Sequence, residues 1–386
     1  MSSKPTVVAL PGYARFTIIL LGAFLLFAGL RAAAGVLIPL AVAFLLALLL
    51  YPISKALEVR RVPRGLAIVM SILFLLVVLG TILLIMLNQV IGLSGEVPEM
   101  TIRLESSIYG LQDKVQERFG VSPDMQVTWL SDKVTEFVEK SGDMLAGVIR
   151  STGTFLVAVG LIPFYMFFIL FYRDHLKEFV FRVSKPGDHE RVVVMMKKIQ
   201  KVIQRYLSGV FTVMIILGIL NITALLIIGV KHAIFFGLFA ALLNIIPYIG
   251  VFIGSALPIL YTLAMSDTYW TPILVYLTFT GIQTLEGNII TPNIVGNKVS
   301  INPLVAIIAL VIGAHVWGVV GMIIFVPFVA MAKVAFDHIE PLKPYGLVLG
   351  VEKKSFQFLD LWKKINPMQF IPGLTEDKKE KSANDE

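Results

Sequence analysis

Residues 233–264 read AIFFGLFAALLNIIPYIGVFIGSALPILYTLA, a run without a single Asp, Glu, Lys, Arg or His. A helix rises 1.5 Å per residue, so about 20 apolar residues cross about 30 Å of hydrocarbon. This run is too long for one straight crossing and too short for two. It is interrupted by Asn244, Pro247, Tyr248, Gly250 and Gly254. Residues 304–336 repeat the pattern, with interruptions at Gly313, Gly318, Gly321 and Pro327. In transporters such segments form re-entrant hairpins or broken helices whose freed backbone groups line a solute site. A long tilted or kinked helix is the alternative.

The rest of the chain has the same character. Of its 386 residues 57% are hydrophobic and 15% charged, against about a quarter charged in soluble domains. The fold class expected is an all-α polytopic integral membrane protein. About six full spans fall near 16–30, 33–51, 66–91, 150–172, 207–229 and 270–290. The first two read as a tight hairpin, the second closed by Tyr51-Pro52 because proline lacks a helical donor. Lys4 and Arg15 before an apolar run resemble a signal peptide, but Arg31 sits inside the would-be cleavage site, which favours a retained span. The absence of cysteine excludes a disulfide framework and thiolate chemistry. The formal charge of +7 lies in loops between apolar segments, as membrane orientation requires, and does not point to nucleic acid.

Five regions follow: 1–91, N-terminal spans; 92–149, a polar helical hairpin; 150–205, a span and a basic loop; 206–340, a transport region with the broken segments; 341–386, a tail. In the second region Leu104, Ile108, Leu111, Val115 and Phe119 form one apolar stripe, and acids outnumber bases ten to five. The loops at 52–65 and 173–205 are basic. Placing them in the cytoplasm puts the acidic hairpin outside, the amino terminus inside and, with six crossings, the carboxy terminus inside. The cluster Tyr172-Arg173-Asp174-His175 reads as side chains snorkelling at the interface.

Polar groups at membrane depth are the candidate site, because charge in hydrocarbon is costly. Glu286 stands in Gln283-Thr284-Leu285-Glu286-Gly287-Asn288, where a helix ending at Thr291-Pro292-Asn293 gathers Gln283, Glu286 and Asn288 beside free carbonyls. The bland reading is a carboxylate at an interfacial helix end, solvated or paired with Lys298. Asn221 and Asn244 are the next candidates for solute or ion contact, although asparagines in bundles often only bond a neighbouring helix. Pro247, Tyr248, Gly250, Gly254, Pro292, Gly313, Gly318, Gly321 and Pro327 are the candidate helix-break and gating positions. No nucleotide-binding loop, zinc-helix motif or nucleophile elbow occurs, so neither an enzyme nor a cofactor or metal is expected.

The string Asn244-Ile-Ile-Pro247-Tyr248-Ile-Gly250, followed by Gly254, Pro258, Gln283, Glu286 and Pro292, resembles the autoinducer-2 exporter family, the PerM-like permeases. So does the run from Gly313 through Gly318 and Gly321 to Pro327. The first half resembles the family in layout. The resemblance implies a homo-oligomeric permease of a bacterial-type inner membrane, exporting the signal autoinducer-2 or another small molecule. It also implies a link to sodium/proton antiport for some members. Three functions are therefore in play. The leading one is a carrier or facilitator exporting a small polar solute. The alternatives are a cation/proton antiporter using Glu286 and a non-transport membrane scaffold.

Overall fold

The computed structural model describes residues 11–96, 99–100, 102–103, 152–184, 186–246, 249–295 and 301–351. The described residues are helical, with no strand among them; Ile301 and Gly350 form one isolated antiparallel bridge. The helices are α1 (Gly12–Ala32), α2 (Ala34–Val59), α3 (Arg64–Ser94), α4 (Thr152–Phe171), α5 (Arg173–Val183) and α6 (His189–Ile228). They continue with α7 (Ala233–Leu243), α8 (Ile249–Met265), α9 (Trp270–Leu285), α10 (Pro303–His338) and α11 (Lys343–Leu349). A π-helical stretch, Glu286–Ile290, and a last α turn, Thr291–Ile294, prolong α9.

Among the described residues six helices are long and apolar enough, by length and composition alone, to cross a bilayer: α1, α2, α3, α6, α9 with its extension, and α10, which a break divides into two arms. The chain is a multi-pass membrane protein. Its apolar helices pack in two groups. Ala43, Ala47 and Leu50 of α2 meet Ile68 and Ile72 of α3 and Met166 and Leu170 of α4. Phe235 and Phe236 of α7 meet Leu225 of α6, Leu257 and Tyr261 of α8, and Val275 and Phe279 of α9. A third cluster joins the groups, with Ala41 and Leu45 of α2 against Ile203 of α6 and Ile324 and Met331 of α10.

Both interrupted segments fold back on themselves. In a straight helix Ala240 and Gly254 would stand about 21 Å apart. Instead, a Cβ placed on Gly254 would lie 2.9 Å from the Ala240 Cα, and one on Gly250 would run into the Leu243 carbonyl. Helices α7 and α8 therefore form a hairpin closed at 244–248, of which Pro247 and Tyr248 lie outside the described residues. Within α10 the helix is broken at Trp317 (φ −132°, ψ 20°) and Gly318 (φ 62°, ψ −141°). Gly313 and Gly321 meet backbone to backbone across that break, leaving no room for a Cβ on either. The positive φ of Gly318 is why a glycine closes the turn. The Trp317 indole donates to the Leu30 carbonyl of α1 at 2.9 Å, fastening this turn to the start of the molecule.

Three expectations change. Helix α2 does not end at Pro52: it runs through Pro39 and Pro52 to Val59. Proline deletes one donor, and the Glu58–Arg173 pair that anchors the turns beyond it at 2.6 Å outweighs that loss. The basic segment 173–205 is not a loop but α5 and the first turns of α6, separated by one short turn at Pro186–Asp188. Lysine and arginine are good helix formers, and charge marked the absence of hydrocarbon, not of helix. Helix α1 buries none of its residues, so it does not close-pack with α2 as a hairpin would. The stripe from Leu104 to Phe119, the second apolar stripe after it, Lys298 and the tail beyond residue 351 lie outside the described residues.

Candidate functional site

A cavity of ≈ 640 Å³ lies among α6, α7, α8 and α9. Its walls are largely apolar, with Leu217, Ala240, Val251, Phe252 and Phe279 among them, and a few polar groups are set into them. That composition is the usual one for a small-molecule site. Asn221 comes from the buried face of α6, where Val213, Leu217, Gly218, Asn221 and Leu225 recur at helical spacing. Gly218 and Gly237 allow α7 to lie close against this face: a Cβ on Gly237 would stand 2.5 Å from Ile222. Asn221 is thereby buried (5% exposed), and its Oδ1 has no hydrogen-bond partner. Asn244 caps the end of α7 at the hairpin turn, and Gln283 reaches the cavity from α9.

Hydroxyl groups complete the polar set. Thr280 Oγ1 donates to the Tyr276 carbonyl at 2.8 Å and Thr284 Oγ1 to the Thr280 carbonyl at 2.8 Å. Ser255 Oγ donates to the Phe252 carbonyl at 3.2 Å. With their protons engaged on their own helices, these oxygens are left as acceptors toward the cavity. The amide nitrogens of Asn221 and Asn244 supply donors. Apolar walls with both donors and acceptors suit an uncharged solute rich in hydroxyls.

Beyond Gln283 the helix changes register. Gln283 Nε2 donates to Glu286 Oε2 at 2.7 Å, and Thr291 Oγ1 donates to Glu286 Oε1. The π stretch makes the second contact, since its i to i+5 bonding seats Thr291 one turn above Glu286. The helix consequently does not end here as its sequence suggests. The wider turn carries the chain past Pro292, which opens the final α turn. Asn288 is not gathered with the others: it is exposed and donates to the Thr284 carbonyl at 2.8 Å. The cavity thus joins Asn221, Asn244 and Gln283, and Glu286 is linked to it through Gln283. Thr291 and the three hydroxyl residues Ser255, Thr280 and Thr284 were not anticipated. The 276/280/284 spacing, a polar stripe on an apolar helix, was the available signal.

Residues 16–340 match the family model described as AI-2E family transporter. The chain belongs to the AI-2E transporter family. It is 26% identical over 312 residues to "Putative transport protein YrrI" of Bacillus subtilis, covering 78% of this chain and 86% of that one. It is 27% identical over 330 residues to "AI-2 transport protein TqsA" of Escherichia coli, covering 83% and 91%.

In this AI-2E family chain two ionic clusters tie together elements distant in sequence. After α3, Glu96 Oε1 meets Lys231 Nζ at 2.5 Å and His232 Nε2 at 3.3 Å, both from the α6–α7 turn. Its Oε2 accepts from the Tyr261 hydroxyl of α8 at 2.8 Å. These partners, Lys231 first, hold the Glu96 carboxyl down at about 2 against the burial that opposes them. At the other cluster Arg173 does more than snorkel. It pairs with Glu58 at 2.6 Å, both side chains largely buried, and lies over the Tyr51 ring at 5.2 Å. Asp174 pairs with Arg64 at 2.8 Å. His315 is exposed beside the Val311 carbonyl of its own helix at 2.9 Å.

Proposed function

We propose that the chain is a permease for a small, hydroxyl-rich polar solute, bound in the cavity among α6, α7, α8 and α9 and moved outward across a bacterial inner membrane. One observation carries this reading. Asn221 Oδ1 is buried without a partner in the cavity wall, and an unpaired buried acceptor costs about 1–3 kcal/mol. A solute hydroxyl would satisfy it. Asn244 and Gln283 then fix orientation, and the threonine and serine oxygens accept from further hydroxyls. The printed name of the relative TqsA makes AI-2 the first cargo to try.

The two folded-back hairpins serve as gates, each closed at backbone contact by paired small residues. We place the basic segments 52–65 and 173–205 on the cytoplasmic side, which puts the amino and carboxy termini inside and the acidic 92–149 segment outside. Helix α1, exposed along its length, offers a face for a second copy of the chain.

A cation/proton antiport is the second reading, resting on the Glu286 carboxylate. Its two oxygens are already occupied by Gln283 and Thr291, which favours a positioning role. The deciding experiment is flux in proteoliposomes holding only this protein, with a pH dye inside and labelled AI-2 assayed separately. Solute flux without proton movement, reduced but not abolished by Glu286→Gln, supports the permease. Sodium-dependent proton movement lost in Glu286→Gln would replace it with the antiporter. No flux of any kind, with the hairpin glycines freely replaceable, would leave the scaffold.

A further inference from the structure

A second cavity, of ≈ 600 Å³, lies between α2, the end of α4, α5 and the first turns of α6. It is remote in the fold from the solute cavity, and its character is different. Apolar side chains such as Leu48, Leu170 and Met196 line it, and among the described residues its charged lining is Arg173, Lys177 and Lys197. Arg173 gives one nitrogen to Glu58, while its Nη1 is buried and has no partner. Lys177 meets Asp174 only at 3.4 Å. The cavity therefore carries three cations, one of them shared with Glu58, at one end of an apolar body.

Helix α5 says where this cavity opens. Tyr172, just before the helix, and Leu176, Phe179 and Val183 recur at spacings of four, three and four. They are 50%, 48%, 65% and 71% exposed. The opposite composition, with Lys177, Glu178 and Arg182, makes α5 amphipathic but weakly apolar overall, the mark of a helix lying in the plane of a bilayer surface. Leu176 and Phe179 also line the cavity, so the apolar stripe leads directly into it. Its neighbours α2 and α4 are apolar and α2 is long enough to cross a bilayer, which sets the mouth near the level of lipid headgroups.

We propose that this cavity holds an anionic phospholipid of the basic-side leaflet. Its acyl chain lies against Leu48, Leu170 and Met196, and its phosphate is held by Arg173, Lys177 and Lys197. A zwitterionic lipid carries a second, positive group into the same three cations and is disfavoured. The occupant would brace α5 against α2 and α6, where α6 begins its path to the solute cavity.

The test is native mass spectrometry of the delipidated full-length protein in mild detergent. Phosphatidylglycerol and phosphatidylcholine of identical chains are titrated separately. One retained phosphatidylglycerol is expected at concentrations where phosphatidylcholine is not retained. Lys177→Ala with Lys197→Ala should lower that retention by about tenfold or more, each cation near an anionic headgroup contributing separately. Lys201→Ala, one charge fewer on α6 but outside the cavity, should not. Met196→Trp fills the apolar part without changing charge and should also lower retention. Equal binding of the two lipids overturns the proposal, as does wild-type retention in both cavity variants. Displacement of the lipid by inorganic phosphate alone would show that the cations read a free anion and not a lipid.

Discussion

Asn221 is where residue chemistry and function pull in opposite directions. If its unpaired Oδ1 exists for solute, Asn221→Leu should remove a destabilising buried acceptor and leave the thermal midpoint unchanged or higher. The same change should cut solute flux at least severalfold, because a hydrogen bond to a bound hydroxyl is worth about 0.5–1.5 kcal/mol. A fall in both stability and flux would mark Asn221 as a packing residue only. At this scale the sequence was partly legible. Polar groups in hydrocarbon are rare enough that Asn221, Asn244, Gln283 and Glu286 could be named directly. Thr291 could not, because its place depends on a π turn that no pattern of apolar residues encodes. Asn288 was misjudged because the helix was expected to end there: in the helix that continues it stands about 140° round from Gln283 and bonds Thr284.

Among elements, the hairpins are controlled by space. A Cβ on Gly313 would collide with the backbone of Gly321, whereas one on Gly281 meets nothing within 4 Å. Gly313→Ala should therefore destabilise by about 1–3 kcal/mol or more, the usual range for overpacking. It should lower the detergent melting temperature and the yield of folded protein, while Gly281→Ala should match wild type in both. The lengths and breaks of residues 233–264 and 304–336 foretold that neither was a plain span. They did not distinguish a kink from a full reversal, since both need the same glycines. That distinction rests on which backbones touch, a long-range fact. The proline at 52 misled for a related reason: a local rule about one donor was overruled by the Glu58–Arg173 pair in the turns beyond it.

At the scale of the whole molecule, Glu96 ties α3 to the α6–α7 turn and to α8. Its folded pKa is depressed from 4.5 to about 2, so its contribution is fully present above pH 4.5 and is lost as pH falls toward 2. Melting curves across that interval should show the wild type losing stability more steeply than Glu96→Gln, and the two should run parallel above it. Parallel curves throughout would mean the cluster is not a tie. The two-bundle plan was visible only in outline. Apolar runs reported the crossings, but Glu58 with Arg173 and Glu96 with Lys231 are 115 and 135 residues apart. No spacing in the chain pairs them.

The π stretch at Glu286–Ile290 has a consequence for insertions and deletions. A π turn is an α turn with a residue inserted, so deleting exposed Gly287 should restore α register through the segment. Thr291 then becomes the fourth residue after Glu286, still one turn above it, and keeps its bond to the carboxylate. The deletion should therefore leave flux near wild type, whereas an alanine inserted beside Gly287 turns everything beyond by about 100°, swings Thr291 off the carboxylate and should lower flux as Thr291→Val does. A reading frame, and not only a set of side chains, then specifies where this carboxylate points.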